Sequence, residues 1–194
     1  MVVCNNLGKV SIRSWDNFDS KIHTFKVHDW SEAIRYSPCE NYLAVGSHDN
    51  HTYIYKIDEE THEYKQVTKD HAHSAWINAI DWTTDSSFIR TSSGDYEVLY
   101  FNVAENKYDP EGKTTTQDKK WATNTIKYGE DRKDIIPSGV ETKAHIKSVI
   151  MSPEGSNLIS GDNFGLVNLF MYPDAKTEVS NSYSAHSEHV VCVV

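Results

Sequence analysis

Three stretches of the chain repeat one alternation of apolar and polar positions. Counting back from Ser37, Thr83 and Ser152, the position one before holds Tyr36, Trp82 and Met151, three before holds Ile34, Ile80 and Val149, and six before holds Ser31, Ile77 and Ile146. That spacing over six residues predicts one buried strand, written three times. The anchors stand 46 and 69 residues apart, and Val190-Val191-Cys192-Val193 fits a fourth copy 44 residues further on. After each anchor a second strand is expected at 42–47, 88–93 and 157–160, running into turns with Asp49-Asn50, Gly94-Asp95 and Asp162-Asn163. Asp, Asn and Gly suit a tight hairpin turn that needs positive φ. Third strands follow at 52–55, 98–101 and 167–170, and the same shape occurs earlier as Gly8 then 10–15, so the chain opens inside a repeat. Short Val-, Ile-, Tyr-, Phe- and Thr-rich segments without a long 3.6-residue period predict an all-β fold. Four strands in roughly 40 to 45 residues is the size of a propeller blade.

The long middle step places extra chain between Phe101 and His145. Residues 104–143 contain Asp109-Pro110-Glu111-Gly112, a run of three threonines at 114–116 and Ile136-Pro137-Ser138-Gly139, and they read as a loop-rich insertion in which Trp121 to Tyr128 could form a strand. The expected division is a partial first blade over 1–29 lacking its inner strand, a blade over 30–70, a blade core over 71–103, the insertion over 104–143, a blade over 144–180 and the start of another over 181–194. With 28 acidic and 19 basic residues the net charge is -9. No general field therefore draws the chain to nucleic acid or anionic lipid, and neither is expected as a partner. The insertion carries 8 residues of each sign, so the charge lies outside it. No apolar run approaches the roughly 18 residues of a membrane span and no secretory signal opens the chain, which points to a soluble intracellular protein. Cys4, Cys39 and Cys192 make neither a disulfide framework nor a zinc motif. Asn50-His51-Thr52 fits a glycosylation triplet by chance.

YLAVGSHDNHTYIY at 42–55, SAWINAIDWTTDSSFIRTSSGDYEVLYF at 74–101, KKWATNTIKYG at 119–129 and NLISGDNFGLVNLFMYP at 157–173 carry a resemblance. On these residues the chain resembles the WD40 repeat proteins, and within them the echinoderm microtubule-associated protein-like family. The resemblance implies a WD40 β-propeller, about four blades of an incomplete ring whose first and last members are partial. It also implies a binding platform associated with tubulin and microtubules in the cytoplasm and cytoskeleton, including the ciliary axoneme. The family's N-terminal coiled coil and basic region contribute to microtubule attachment and are not part of this acidic sequence; nor is the hydrophobic motif before its first propeller. The blades look like ones from the interior of the array. Such propellers usually close with about seven blades, so the missing ones would come from the same or another chain. Exposed blade faces would make the isolated piece aggregate or bind a hydrophobic dye.

In WD blades a turn Asp, a strand hydroxyl and a loop His commonly join in a buried hydrogen-bond chain. The resemblance assigns His28, His73, Ser92, Asp49, Asp95 and Asp162 to such structural networks. A His73–Ser92–Asp95 trio also has the composition of a nucleophilic site, but its recurrence blade after blade favours the structural role. Tyr55, Phe101 and Phe170 stand where many WD repeats have Trp. The pairs His71 with His73, His48 with His51 and His186 with His189 have no third ligand at fixed spacing, so no metal is expected and these read as solvated loop histidines. No phosphate loop, dinucleotide motif or nucleophile elbow occurs, and neither a cofactor nor a catalytic residue is expected.

The column Trp30, Trp76, His145 and His189 precedes the first buried position of each inner strand, which on a propeller lies at the rim. Aromatic residues there suit an interface hot spot, and they equally suit a cover over the blade tops. Lys113, Lys119, Lys120 and Trp121 form a second candidate, able to meet an acidic partner such as tubulin or to line an ordinary solvated loop. The leading expectation is a non-enzymatic interaction scaffold on microtubules. A WD adaptor in another assembly, such as a ubiquitin ligase receptor or signalling complex, comes next, and an enzyme third.

Overall fold

The computed structural model describes residues 1–127, 145–172, 181–184 and 186–193. The chain divides into two compact units, Met1–Ala122 and Thr123–Val194. In the first, β1 (Val2–Cys4), β2 (Lys9–Arg13) and β3 (Lys21–Lys26) form a three-stranded antiparallel sheet. Next come β4 (Ser31–Tyr36), β5 (Tyr42–Ser47), β6 (Thr52–Ile57) and β7 (Tyr64–Asp70) in a four-stranded meander. A second meander holds β8 (Ile77–Trp82), β9 (Phe88–Ser93), β10 (Val98–Asn102) and β11 (Lys107–Tyr108). A four-residue helix, α1 (Gly112–Thr115), follows. In the other unit β12 (Ile146–Met151), β13 (Asn157–Asp162), β14 (Leu166–Met171) and β15 (Asn181–Ser184) form one further meander. Four successive antiparallel sheets are the blades that the repeat predicts, the first of them partial.

Strand alternation explains how the sheets of the first unit pack. Leu43 and Val45 of β5 join Val10, Ile12 and Val27 in one core, while Ala44 faces the other way and joins Ile77, Ile80 and Trp82 in a second. In β6, Tyr53 and Tyr55 go to the first core and Ile54 to the second. A strand buried on both faces reads as a continuous apolar run, because successive side chains serve opposite neighbours. The sheets approach closely where a side chain is missing: a Cβ on Gly46 would lie 2.5 Å from Ile77 Cγ2. The indole N–H of Trp82 donates to the Arg35 carbonyl at 3.3 Å, adding a polar link between the same two sheets. In the second unit Ile146, Val149, Leu158 and Phe170 form the core, and a Cβ on Gly161 would meet Val190 Cγ1 at 2.6 Å.

The inner strands repeat even in their irregularity. Each has a register shift at its start, between Ser31 and Ala33, Ile77 and Ala79, and Ile146 and Ser148. The extra residue bends the strand away from its partner just where the chain enters the blade.

Four expectations change. The segment read as insertion begins by completing a blade, since Lys107 and Tyr108 pair with Asn102 and Phe101. The strand expected from Trp121 is, over the described residues to 127, a single bridge between Trp121 and Thr83; Tyr128 lies outside the described residues, as does the remainder of the expected insertion over 128–143. Residues 181–184 close the preceding blade through β14–β15 pairing and do not open a new one. Finally, β4 is less buried than its counterparts: Tyr36 is exposed, and its hydroxyl instead meets that of Tyr64 at 2.9 Å.

Candidate functional site

The column preceding the inner strands has a shared backbone task. The carbonyls of Trp30, Trp76 and His145 accept hydrogen bonds from the N–H groups of His48, Gly94 and Asn163 at 2.9, 2.9 and 3.1 Å, each 18 residues further on. This bond ties the entry of the first strand to the exit of the second and fixes the direction in which the side chain leaves. Trp30 and Trp76 are 40% and 43% exposed, too open to be core residues. His48 joins them: its ring stacks on Trp30 at 3.7 Å between centroids and on Trp76 at 5.6 Å, with interplanar angles of 25° and 17°. Three nearly parallel rings thus bridge two neighbouring blades. Trp76 rests over Gly94, where any Cβ would fall 2.6 Å from the indole. The Glu32 carboxylate lies 3.4 Å from His48 Nε2 and gives the edge of the ladder a negative charge. His145 and His189, in the other unit, are exposed.

Lys119, Lys120 and Trp121 serve the far end of the same sheet. The Thr84 N–H donates to the Lys120 carbonyl at 2.8 Å and Lys119 Nζ lies 2.6 Å from Asp85 Oδ2, both at the β8–β9 turn. A six-residue strand spans about 20 Å, so these residues and Trp76 cannot make one patch. Trp121 is half-buried and stacks over the Arg90 guanidinium at 4.2 Å. Arg90 in turn binds the buried Asp81 carboxylate through Nε and Nη2 at 3.2 and 3.1 Å. Trp121 is therefore committed to the blade, while Lys113 and Lys120 are exposed.

The expected networks assemble with different members. His73 is buried, and its Nε2 lies 2.7 Å from the hydroxyl of Thr91, not of Ser92. Thr91 and Ser92 point to opposite faces of β9, and Ser92 donates to Asn78 Oδ1 at 2.7 Å. Ser92 occupies the column of Gly46 and Gly161, small positions at which a Cβ would meet Ile77 and Val190, and the repeat alignment carries that signal. Asp95 accepts from the hydroxyls of Ser74 and Ser93, which hold its carboxyl below the usual carboxylate range. Burial pushes His73 down to about 4, against the opposing pull of the Asp95 charge. Its Nδ1 faces Glu97 Oε2 at 3.6 Å, and His73, Asp95 and Glu97 offer ligand atoms within 4.8 Å of one another. No Ser92–His73–Asp95 relay exists in this geometry, and Thr91 is 5% exposed, beyond the reach of a substrate.

Elsewhere the residues separate. His28 is exposed because its neighbour Val27 takes the buried slot, and it is its backbone, not its ring, that reaches the Tyr53 hydroxyl. Asp49 is met by the Tyr53 hydroxyl at 2.5 Å and by His51 Nδ1 at 3.3 Å, not by a loop histidine of the preceding blade. Asp162 is fully buried and accepts the N–H groups of Phe164 and Leu166 at 2.9 and 3.0 Å, closing its turn. Of the histidines read as solvated, His71 stacks on His51 at 4.3 Å, and His73 and His48 are held as described.

Residues 1–194 match the family model described as the echinoderm microtubule-associated protein second beta-propeller. The ciliary WD repeat-containing protein ctxp80 of Euplotoides octocarinatus is 37% identical over 98% of this chain and 26% of its own length. The 77 kDa echinoderm microtubule-associated protein of Strongylocentrotus purpuratus is 40% identical over 84% of this chain and 24% of its own. For echinoderm microtubule-associated protein-like 1 of Homo sapiens the values are 37%, 92% and 22%. The chain thus spans about a quarter of the length of these relatives. A chain of the solved mitotic checkpoint complex shares the fold at a TM-score of 0.56 and 17% identity, covering 98% of this chain and 50% of that one. With its repeated sheets and a match along its whole length, the chain belongs to the echinoderm microtubule-associated protein-like family of WD40 β-propellers.

Proposed function

We propose that this chain is a non-catalytic protein–protein interaction surface within a microtubule-associated scaffold, acting at the cytoskeleton and in cilia. The relatives named for microtubule association and for the cilium support the setting. The exposed Trp30–His48–Trp76 ladder is the observation that carries the binding role. Rigid rings, the two indoles held by backbone bonds at their own carbonyls and His48 stacked between them, offer large apolar area with little entropy left to lose on docking.

Co-sedimentation of the protein with assembled microtubules tests this. The Trp30→Ala/Trp76→Ala double variant is expected to pellet at least about tenfold less well while unfolding within about 1 kcal/mol of the parent, since both rings are open to solvent. Undiminished pelleting with lost stability would make the rings mere covers of the blade tops. Failure of the parent itself to pellet would remove the microtubule reading.

A further inference from the structure

We propose that His73, Asp95 and Glu97 form a binding site for a Zn²⁺-class divalent cation, which clips the β9–β10 turn to the loop entering β8. Three independent features converge. The imidazole is fixed in place: its Nε2 is engaged by Thr91 at 2.7 Å inside the sheet, and its side chain is 1% exposed. Nδ1 is buried without a hydrogen-bond partner among the described residues, and it faces the Glu97 carboxylate. Glu97 Oε2 at 3.6 Å is too far for a hydrogen bond, yet the spacing suits two ligands of one metal. All three residues can present an atom within 4.8 Å of the others; Asp95 is held in place by the Ser74 and Ser93 hydroxyls, and Glu97 is an exposed side chain able to close the remaining gap.

The donor set chooses the ion. One neutral imidazole with two carboxylates and room for a water is a borderline set that suits Zn²⁺, whereas Mg²⁺ and Ca²⁺ prefer oxygen alone. The surroundings supply the outer layer such a site needs. Thr91 orients the histidine, and the Ser74 and Ser93 hydroxyls orient Asp95. Histidine, serine and carboxylates come from two different loops, so the signal lies in no single stretch of sequence. Occupancy would also reach the aromatic ladder, because Asp95 follows Gly94, on which the Trp76 ring rests, and Ser74 lies two residues before that tryptophan.

Chelator-stripped protein titrated with Zn²⁺ in a calorimeter, with Mg²⁺ as control and tryptophan emission followed in parallel, tests the site. One equivalent of Zn²⁺ should bind and alter the emission, and Mg²⁺ should do neither. Glu97→Gln and Asp95→Asn should each weaken Zn²⁺ binding by about tenfold or more. Both positions are exposed, so circular dichroism of these variants should match the parent; His73→Asn is a supporting variant only, since burial makes it prone to unfold. Zn²⁺ binding no tighter than Mg²⁺, or an affinity unchanged in both carboxylate variants, would overturn the proposal and leave Nδ1 as an ordinary buried nitrogen of the blade.

Discussion

Four residues at equivalent places in the blades, Gly8, Asn50, Tyr96 and Gly165, adopt φ of 74°, 66°, 67° and 83°. The sequence pattern points to Asp49-Asn50, Gly94-Asp95 and Asp162-Asn163, and in the last two turns the left-handed residue lies further along. The reason is that 94–95 and 162–163 stand one and two columns earlier in the repeat than 49–50, so the shared left-handed column falls beyond them; in each turn a carboxylate accepts an N–H two residues ahead. Asn50 and Tyr96 show that a side chain is tolerated at this φ. At Gly165 it is not, because a Cβ would fall 2.4 Å from the His186 carbonyl oxygen. Gly155 offers the control, with φ of +70° and no neighbour nearer than 3.9 Å. Gly155→Ala is expected to cost about 1 kcal/mol for conformation alone, and Gly165→Ala more than about 2 kcal/mol, adding the clash. Urea denaturation of the two variants measures the difference; equal costs would show that the carbonyl simply moves aside.

Among elements, the two buried strands of each blade were legible and the outermost was not. The second strands run over 42–47 and 88–93 as expected, because they are buried almost throughout, and in β5 successive side chains serve two different cores. β15 is exposed at all four residues and β11 at both, so their sequences carry no hydrophobic alternation to read. The rim column could be read from the repeat, since it sits beside the most regular strand. His48 as its third ring could not, because the stack joins residues of different blades, and the Thr91 partner of His73 was hidden by a neighbouring serine. Trp121 was misplaced for a related reason: its role depends on Asp81 and Arg90, register partners on β8 and β9 that sequence alone does not pair. These two residues are 0% and 6% exposed, so Arg90→Met removes the guanidinium from a buried carboxylate. The expected loss is about 3 to 5 kcal/mol, with most of it recovered in Asp81→Leu/Arg90→Met. Thermal and urea unfolding of the single and double variants check this; a single variant within about 0.5 kcal/mol of the parent would make the pair dispensable.

At the scale of the whole molecule, stability in a stacked-repeat protein is set by the contacts each repeat shares with its neighbours, and it need not be uniform. The unit Met1–Ala122 contains three sheets that share two cores, and β5, β6, β8 and β9 are buried along most of their length. In Thr123–Val194 the described core is smaller, and β12 and β14 alternate buried with half-open positions. Amide protons open either by local fraying or by losing a whole sheet, and the second route costs more where both faces of the sheet are covered. Hydrogen exchange at neutral pH should therefore be slowest in β5, β8 and β9, faster in β12 and β14, and fastest in β15. Burial and not hydrogen bonding sets the order among like strands, since β9 and β14 are each laddered on both sides while β8, β12 and β15 are edge strands laddered on one. If β14 were protected as strongly as β9, the blades would open as one body, and the shared cores of the first unit would not be what sets its stability.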